Sequence, residues 1–205
     1  MSTNTVVPNH HAHHPGFAGL SGLVAALSFT VGREGDAVLA TSLTELGGAD
    51  HLVDVGCGPG VAVRYAAGRC ASAIGVDPSA MMLRVGRLKT RARNARFVEG
   101  TAEALPVPDG VASVVWSLST VHHWHSIDGG LREARRVLDD GGRFLVTERR
   151  VTAGATGIDS HGWTTEQADA FASCCEREGF IGVAVSTHDS PRGVLLAVRA
   201  ISPAS

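Results

Sequence analysis

The run Val53-Asp54-Val55-Gly56-Cys57-Gly58-Pro59-Gly60 carries a β-branched apolar strand straight into a turn with three glycines, and helical spacing follows it. Lacking a Cβ, glycine reaches φ > 0 and lets the backbone come close to a ligand. The turn leads into a helix start, whose unbonded N–H groups face whatever sits above it. A strand, a glycine turn and a helix in this order build a nucleotide-type cofactor site at the carboxyl end of a parallel strand.

A second anchor lies downstream. In Ile74-Gly75-Val76-Asp77-Pro78-Ser79 a second strand ends in a carboxylate that can accept ribose hydroxyls, whichever nucleoside is bound. Two cofactors compete for such a site. The dinucleotide fingerprint is G-x-G-x-x-G. Here the spacing is G-x-G-x-G, and Val61 stands where the third fingerprint glycine belongs. Asp54, just before the glycines, separates the two readings. Its carboxylate repels a pyrophosphate and attracts the ammonium and sulfonium of S-adenosylmethionine.

These residues resemble the first two motifs of the class I S-adenosylmethionine-dependent methyltransferases, of the small-molecule, methyltransferase-11-like type. Two further stretches follow in the family's order. Val98-Glu99-Gly100-Thr101-Ala102-Glu103-Ala104-Leu105-Pro106 resembles the adenine-side third motif, and residues 131–145 resemble the helix, Gly-Gly turn and fifth strand. The likeness is close over residues 45–150 and loose elsewhere. Two positions depart from the pattern: Thr101 stands where many relatives carry an aspartate, and Asp140 where a proline usually precedes Gly141-Gly142. The resemblance implies S-adenosylmethionine as cofactor. Its binding is read at Asp54 for the ammonium end, Gly56, Gly58 and Gly60 for the amino-acid part, and Asp77 with Pro78 for the ribose. Met82 (or Met81) covers the adenine face, where a thioether packs well on an aromatic ring. Thr101, Ala102 and Glu103 meet the adenine edge, and Ser117 faces the cofactor from the fourth strand.

The rest of the chain fits that reading. Its 205 residues favour one domain with a full core. With 44% hydrophobic and 19% charged residues and a net charge of −2, nothing pulls it toward nucleic acid or an anionic membrane. Four cysteines without C-x-x-C spacing read as free thiols, and no Lys or Arg precedes Arg33 to make a signal peptide. A cytoplasmic protein, monomeric or homodimeric, is expected. Residues 1–16 read as a flexible His-rich tail, 17–48 as an N-terminal helical lid, and 49–205 as the cofactor-binding domain. The lid comprises a helix over 17–29, with Phe17, Leu20 and Phe29 lining the site, and a helix over 35–46 with Val38, Leu39, Leu43 and Leu46 on one face. Strands are predicted near 51–56, 72–76, 95–99, 112–118 and 142–148, helices near 60–68, 79–90, 128–138 and 164–178, and a late hairpin from 181–187 and 193–200. The fold class is α/β: a doubly wound, mostly parallel seven-stranded, Rossmann-like sheet with an antiparallel edge.

Chemistry is sought at the ends of the fourth and fifth strands. Val121-His122-His123-Trp124-His125 follows the fourth, and an imidazole near its ordinary pKa can take a proton from an attacking hydroxyl or thiol. His122, His123, Glu148 at the end of the fifth strand, and His161 on the following loop are the catalytic candidates. Arg149 and Arg150 could grip an acidic group on a substrate. No metal is expected, because adjacent side chains on an extended segment point apart. The cluster Arg84, Arg87, Lys89, Arg91, Arg93 and Arg96 reads as a solvated face, and His10, His11, His13 and His14 as a loose, metal-sticky tail. The expected activity is methyl transfer to a small-molecule O, N, S or C nucleophile. A non-catalytic cofactor-binding regulator and an RNA methyltransferase are the alternatives.

Overall fold

The computed structural model describes residues 7–12, 33–191 and 193–204. The helix expected over 17–29, with Phe17, Leu20 and Phe29, lies outside the described residues, as do His13 and His14. Helix α1 (Arg33–Leu43) comes first, followed by β1 (His51–Val55), α2 (Val61–Ala67), β2 (Ser72–Asp77), α3 (Ala80–Lys89) and β3 (Ala95–Glu99). Then come β4 (Ala112–Leu118), a 3-10 turn (Val121–His123), α4 (Ile127–Val137), β5 (Leu138–Arg149), a second 3-10 turn (Gly157–Ser160), α5 (Thr165–Arg177) and the hairpin β6 (Ile181–Ser190) and β7 (Gly193–Ile201).

The seven strands run in the order β3-β2-β1-β4-β5-β7-β6. The first five pair in parallel, and β7 pairs antiparallel with both β5 and β6. Strand order reverses between β1 and β4. A crevice opens at such a switch point, outside the carboxyl ends of the strands. Both faces of the sheet are covered, which is why β1 and β4 read as nearly continuous apolar runs. On one face Val53, Val115, Phe144 and Val146 pack with Leu131, Trp163 and Phe171. On the other, Leu52, Val114, Trp116 and Leu145 pack with Val63, Ala66 and Leu83. Each large side chain fully buried this way contributes about 1.5–3 kcal/mol.

Local signals place the helices. Ser79 accepts the Met82 N–H, Ser126 accepts the Gly129 N–H, and Thr164 with Gln167 forms a complete capping box. Two expectations need correction. β5 starts at Leu138 rather than 142, because Leu138 pairs with Ala112 ahead of the Gly141 turn. In α1 the buried face is Ala37 and Ala40, and Val38 is exposed. The helix lies close enough to the sheet that small residues fit and larger ones turn outward, and Thr44 beyond it receives the Trp116 indole N–H at 3.2 Å. Among the described residues no helix is long and apolar enough to cross a membrane.

Residues 7–12 are not a loose tail. The Trp163 indole donates to the Pro8 carbonyl at 2.8 Å, and Gln167 Nε2 donates to the Val7 carbonyl at 2.9 Å. Asn9 Nδ2 donates to the Trp124 carbonyl at 2.9 Å, and the His11 N–H to the His122 carbonyl at 2.9 Å. Buried donors and acceptors need partners, and this segment supplies them to Trp163 and to the end of the β4 crossover.

Candidate active site

The glycine turn closes on itself through Val76. Gly56 and Cys57 both donate to its carbonyl, at 2.8 and 3.0 Å, tying the end of β1 to β2. Gly56, Gly58 and Gly60 all have positive φ, at 75°, 52° and 72°. They differ in what surrounds them. A Cβ on Gly56 would collide with Thr120 at 2.6 Å and one on Gly60 with the Phe97 ring, while one on Gly58 would meet nothing within 4 Å. Two glycines therefore admit protein, and the middle one faces an opening. Beside the turn lies a cavity lined by Asp36, Asp54, Gly56, Cys57, Pro59, Val61, Ala62 and Leu118. Asp54 and Asp36 are buried at 2% and 3% exposure, so two carboxyl groups face this cavity.

Asp77 forms the second wall. Its Oδ2 accepts the Gly58 N–H at 2.8 Å and its Oδ1 the Ser79 N–H at 2.9 Å. Each carboxylate oxygen has a further lone pair, so the bonds that fix the carboxylate leave it able to accept ribose hydroxyls. Met82 is buried on α3, the helix that starts just after Asp77, and Pro78 is exposed.

The end of β4 turns sharply. Ser119 takes φ 60°, a strained value for a residue with a side chain, and its N–H reaches the Thr147 carbonyl at 2.7 Å. The 3-10 turn over Val121–His123 then brings His122 and His123 onto the same side, with ring centroids 4.2 Å apart. His161 comes in from the loop after β5, 5.4 Å from the His122 ring and 5.3 Å from the His123 ring. His11 completes the group, 4.5 Å from His161 and 5.7 Å from both His122 and His123. Arg149 braces that loop, donating to the His161 and Asp159 carbonyls at 3.2 Å each.

Hydrogen bonds set the imidazole tautomers. The His122 Nδ1–H points at Glu148, whose oxygens lie at 2.9 and 2.8 Å, and the His122 backbone N–H reaches the same carboxylate at 3.3 Å. That leaves Nε2 of His122 with the lone pair. Ser160 Oγ donates to the Gly157 carbonyl at 2.7 Å, so it accepts from His11 Nε2 at 3.1 Å, which leaves the lone pair of His11 on Nδ1. Exposed His10 spends both nitrogens, on Gln167 Nε2 at 3.0 Å and the Ser160 carbonyl at 2.9 Å. Burial first, then neighbouring His122, His161 and His11, push the His123 pKa down to about 3, against a hydrogen bond to the His11 backbone.

A family model described as a methyltransferase domain matches residues 53–146, from the middle of β1 into β5, and over that span the chain is similar to methyltransferases. YcgJ of Bacillus subtilis, an uncharacterized methyltransferase, is 34% identical over 49% of this chain and 41% of its own length. The 27-O-demethylrifamycin SV methyltransferase of Amycolatopsis mediterranei is 35% identical over 54% of this chain and 43% of its own. The matches thus span about two fifths of these relatives' lengths. An S-adenosylmethionine-dependent methyltransferase structure from Aquifex aeolicus superposes on 87% of this chain and 97% of its own, with a TM-score of 0.72 at 15% identity, a likeness of fold.

The expected cofactor residues separate. Asp54, Gly56, Gly58, Gly60 and Asp77 gather around the turn and cavity. Ala102 is buried in the apolar core, so only its backbone can meet a ligand. Thr101 is half-buried and bridges to Ala104. The half-buried Glu103 carboxylate accepts the Ser126 N–H at 3.0 Å through one oxygen. Ser117 is corrected. Ser117 is fully buried and shares a hydrogen bond of 2.7 Å with Thr120, which in turn donates to the Val55 carbonyl at 3.2 Å. Ser117 therefore props the residue against which Gly56 packs.

The catalytic candidates converge, with changed roles. Glu148 is fully buried against His122 and does not enter a substrate pocket. An imidazole as weakly basic as His123 is a poor proton acceptor near neutral pH. The ground for expecting no metal also fails, because residues 121–123 are a 3-10 turn and not extended, so the two rings share a side. Arg149 is a brace for the loop, with its guanidinium on loop carbonyls. His11, Asp36 and Thr120 were missed. His11 lay in a histidine-rich run with no spacing to distinguish it, and Asp36 had no local motif around it.

Proposed function

We propose that this chain transfers the methyl group of S-adenosylmethionine to a small-molecule nucleophile bound between the end of β4 and the 150–163 loop. The observation that carries the reading is the opening at Gly58, flanked by Asp54 and Asp77, next to a strand end rich in imidazole. The acidic residues suit the cofactor's ammonium and ribose. The sulfonium makes the methyl carbon electrophilic, so the cofactor carries the hard chemistry. When bound, the cofactor would give up its methyl group to the acceptor's lone pair and leave as the thioether, with Asp54 and Asp77 holding its ammonium and ribose. An acceptor that carries a proton loses it on the imidazole side. What the protein adds is alignment of nucleophile, methyl carbon and sulfur, a proximity effect that reaches about 7–11 kcal/mol when the geometry is good.

A small acceptor is favoured by relatives such as the rifamycin methyltransferase. Four free cysteines fit a reducing compartment. Calorimetric titration with S-adenosylmethionine, S-adenosylhomocysteine and NADH tests the reading. Micromolar binding of the first two, absence of NADH binding, and a loss of about tenfold or more in Asp77→Asn support it. Binding of NADH alone overturns it.

A further inference from the structure

We propose that His122, His123 and His161 form a binding site for one divalent transition-metal ion of the zinc class, with its remaining coordination position open to water or to the methyl acceptor. Each of the three offers a ring nitrogen, and these atoms lie within 4.8 Å of one another. Around a tetrahedral zinc with Zn–N of about 2.0–2.1 Å, nitrogens sit about 3.4 Å apart. Rotations of exposed-edge rings close that difference, since His123 and His161 are only half-buried.

The outer shell points the same way. A metal-binding histidine usually gives its other N–H to a carboxylate or carbonyl, which fixes the ring and makes the ligating nitrogen more basic. His122 gives its Nδ1–H to buried Glu148, and His123 bonds to the His11 backbone. With Nδ1–H engaged by Glu148, Nε2 is the nitrogen His122 can offer to a metal. A proton-accepting pair would need only His122 and Glu148. The histidine turn follows directly on Thr120, which packs on Gly56, so the group adjoins the glycine turn. An acceptor hydroxyl or thiol bound there loses its proton to solvent more readily, as metal-bound water does. That last role rests on the methyltransferase reading, while the metal site stands without it.

The test uses the full chain without an affinity tag. Zinc chloride titrated calorimetrically at neutral pH, and cobalt(II) followed by visible absorption, report stoichiometry and geometry. One ion per chain is expected, with the intense cobalt absorption of low coordination number. His123→Ala and His161→Ala each weaken binding by about 100-fold or more, and Glu148→Gln by about 10–100-fold. His125→Ala, at an exposed position outside the group, leaves it unchanged. Full-strength binding in both His123→Ala and His161→Ala assigns the metal to the histidine-rich N-terminal run and overturns the proposal, as does absence of binding in the wild type. S-adenosylhomocysteine titration of the same wild-type sample reads the cofactor site separately, so failure of one reading leaves the other standing.

Discussion

Glu148 and His122 are joined by a buried contact in which both carboxylate oxygens lie within 2.9 Å of the His122 Nδ1 and neither residue is more than 3% exposed. The pair links β5 to the turn after β4, at the carboxyl ends of the parallel strands. Truncation of one partner leaves the other buried without its bond. Glu148→Ala should therefore cost about 3 kcal/mol, which lowers the melting temperature of a chain this size by about 6–12 °C. Glu148→Gln keeps an acceptor oxygen and should lose less. Equal melting curves for both variants would show that the pair carries no stability.

Gly56 and Gly58 differ in a way that substitution can read. Both have positive φ, which costs an L side chain about 1–2 kcal/mol. Only Gly56 adds a collision, with Thr120 at 2.6 Å. Gly56→Ala should melt lower than Gly58→Ala. Gly58→Ala should fold and yet lose S-adenosylhomocysteine affinity, because its methyl group would project into the opening. Wild-type affinity in Gly58→Ala would mean that the cofactor does not pass this residue.

Asp50 gives a pH dependence of known sign. Burial alone raises its pKa, but the Ser113 hydroxyl at 2.6 Å, the Gly47 N–H at 2.7 Å and the Arg143 guanidinium together hold it below the ordinary aspartate value. A carboxyl whose folded pKa lies below its unfolded one adds stability above the unfolded value, about 3.9. That stability is lost as pH falls through the folded value. The urea midpoint of the wild type should therefore fall more between pH 7 and pH 3 than that of Asp50→Asn. Parallel falls in the two proteins would contradict the assignment.

Residues 7–12 should act as a brace across the imidazole group. Deleting residues 1–12 removes the partners of the Trp163 indole and of Gln167 Nε2. Hydrogen exchange in that variant should speed up at Trp163 and over the first turn of α5. Trp163→Phe, which deletes the donor and leaves a small cavity, should cost at least about 1–2 kcal/mol for the lost bond. Unchanged exchange in the deletion variant would show that the segment does not dock in solution.

Much of the architecture could be read locally. The alternation of apolar runs with capped helical spacing placed the seven strands within a few residues, because Ser79, Thr164 and the Gly-Gly turn act on their immediate neighbours. The Val53–Gly60 strand and glycine turn could be read for the same reason, since the turn is built from contiguous backbone. The Glu103 carboxylate also holds the Ser126 N–H, 23 residues away, a contact that no local pattern announces. Ser117 misled because a strand end does not reveal which face carries a given side chain once a positive φ at Ser119 bends the chain.

The sequence by itself determined the glycine turn, the order of strands and helices, and the presence of imidazoles after the fourth strand. Only the tertiary structure decided what those imidazoles do together. His11, His122, His123, Glu148 and His161 come from four separate segments, and no spacing in the chain relates them. They meet because parallel strands all deliver their carboxyl ends to one edge of the sheet, where the 3-10 turn, the Arg149-braced loop and the N-terminal segment converge. A turn is encoded by its neighbours, whereas a cluster is encoded by the topology that returns distant segments to one place.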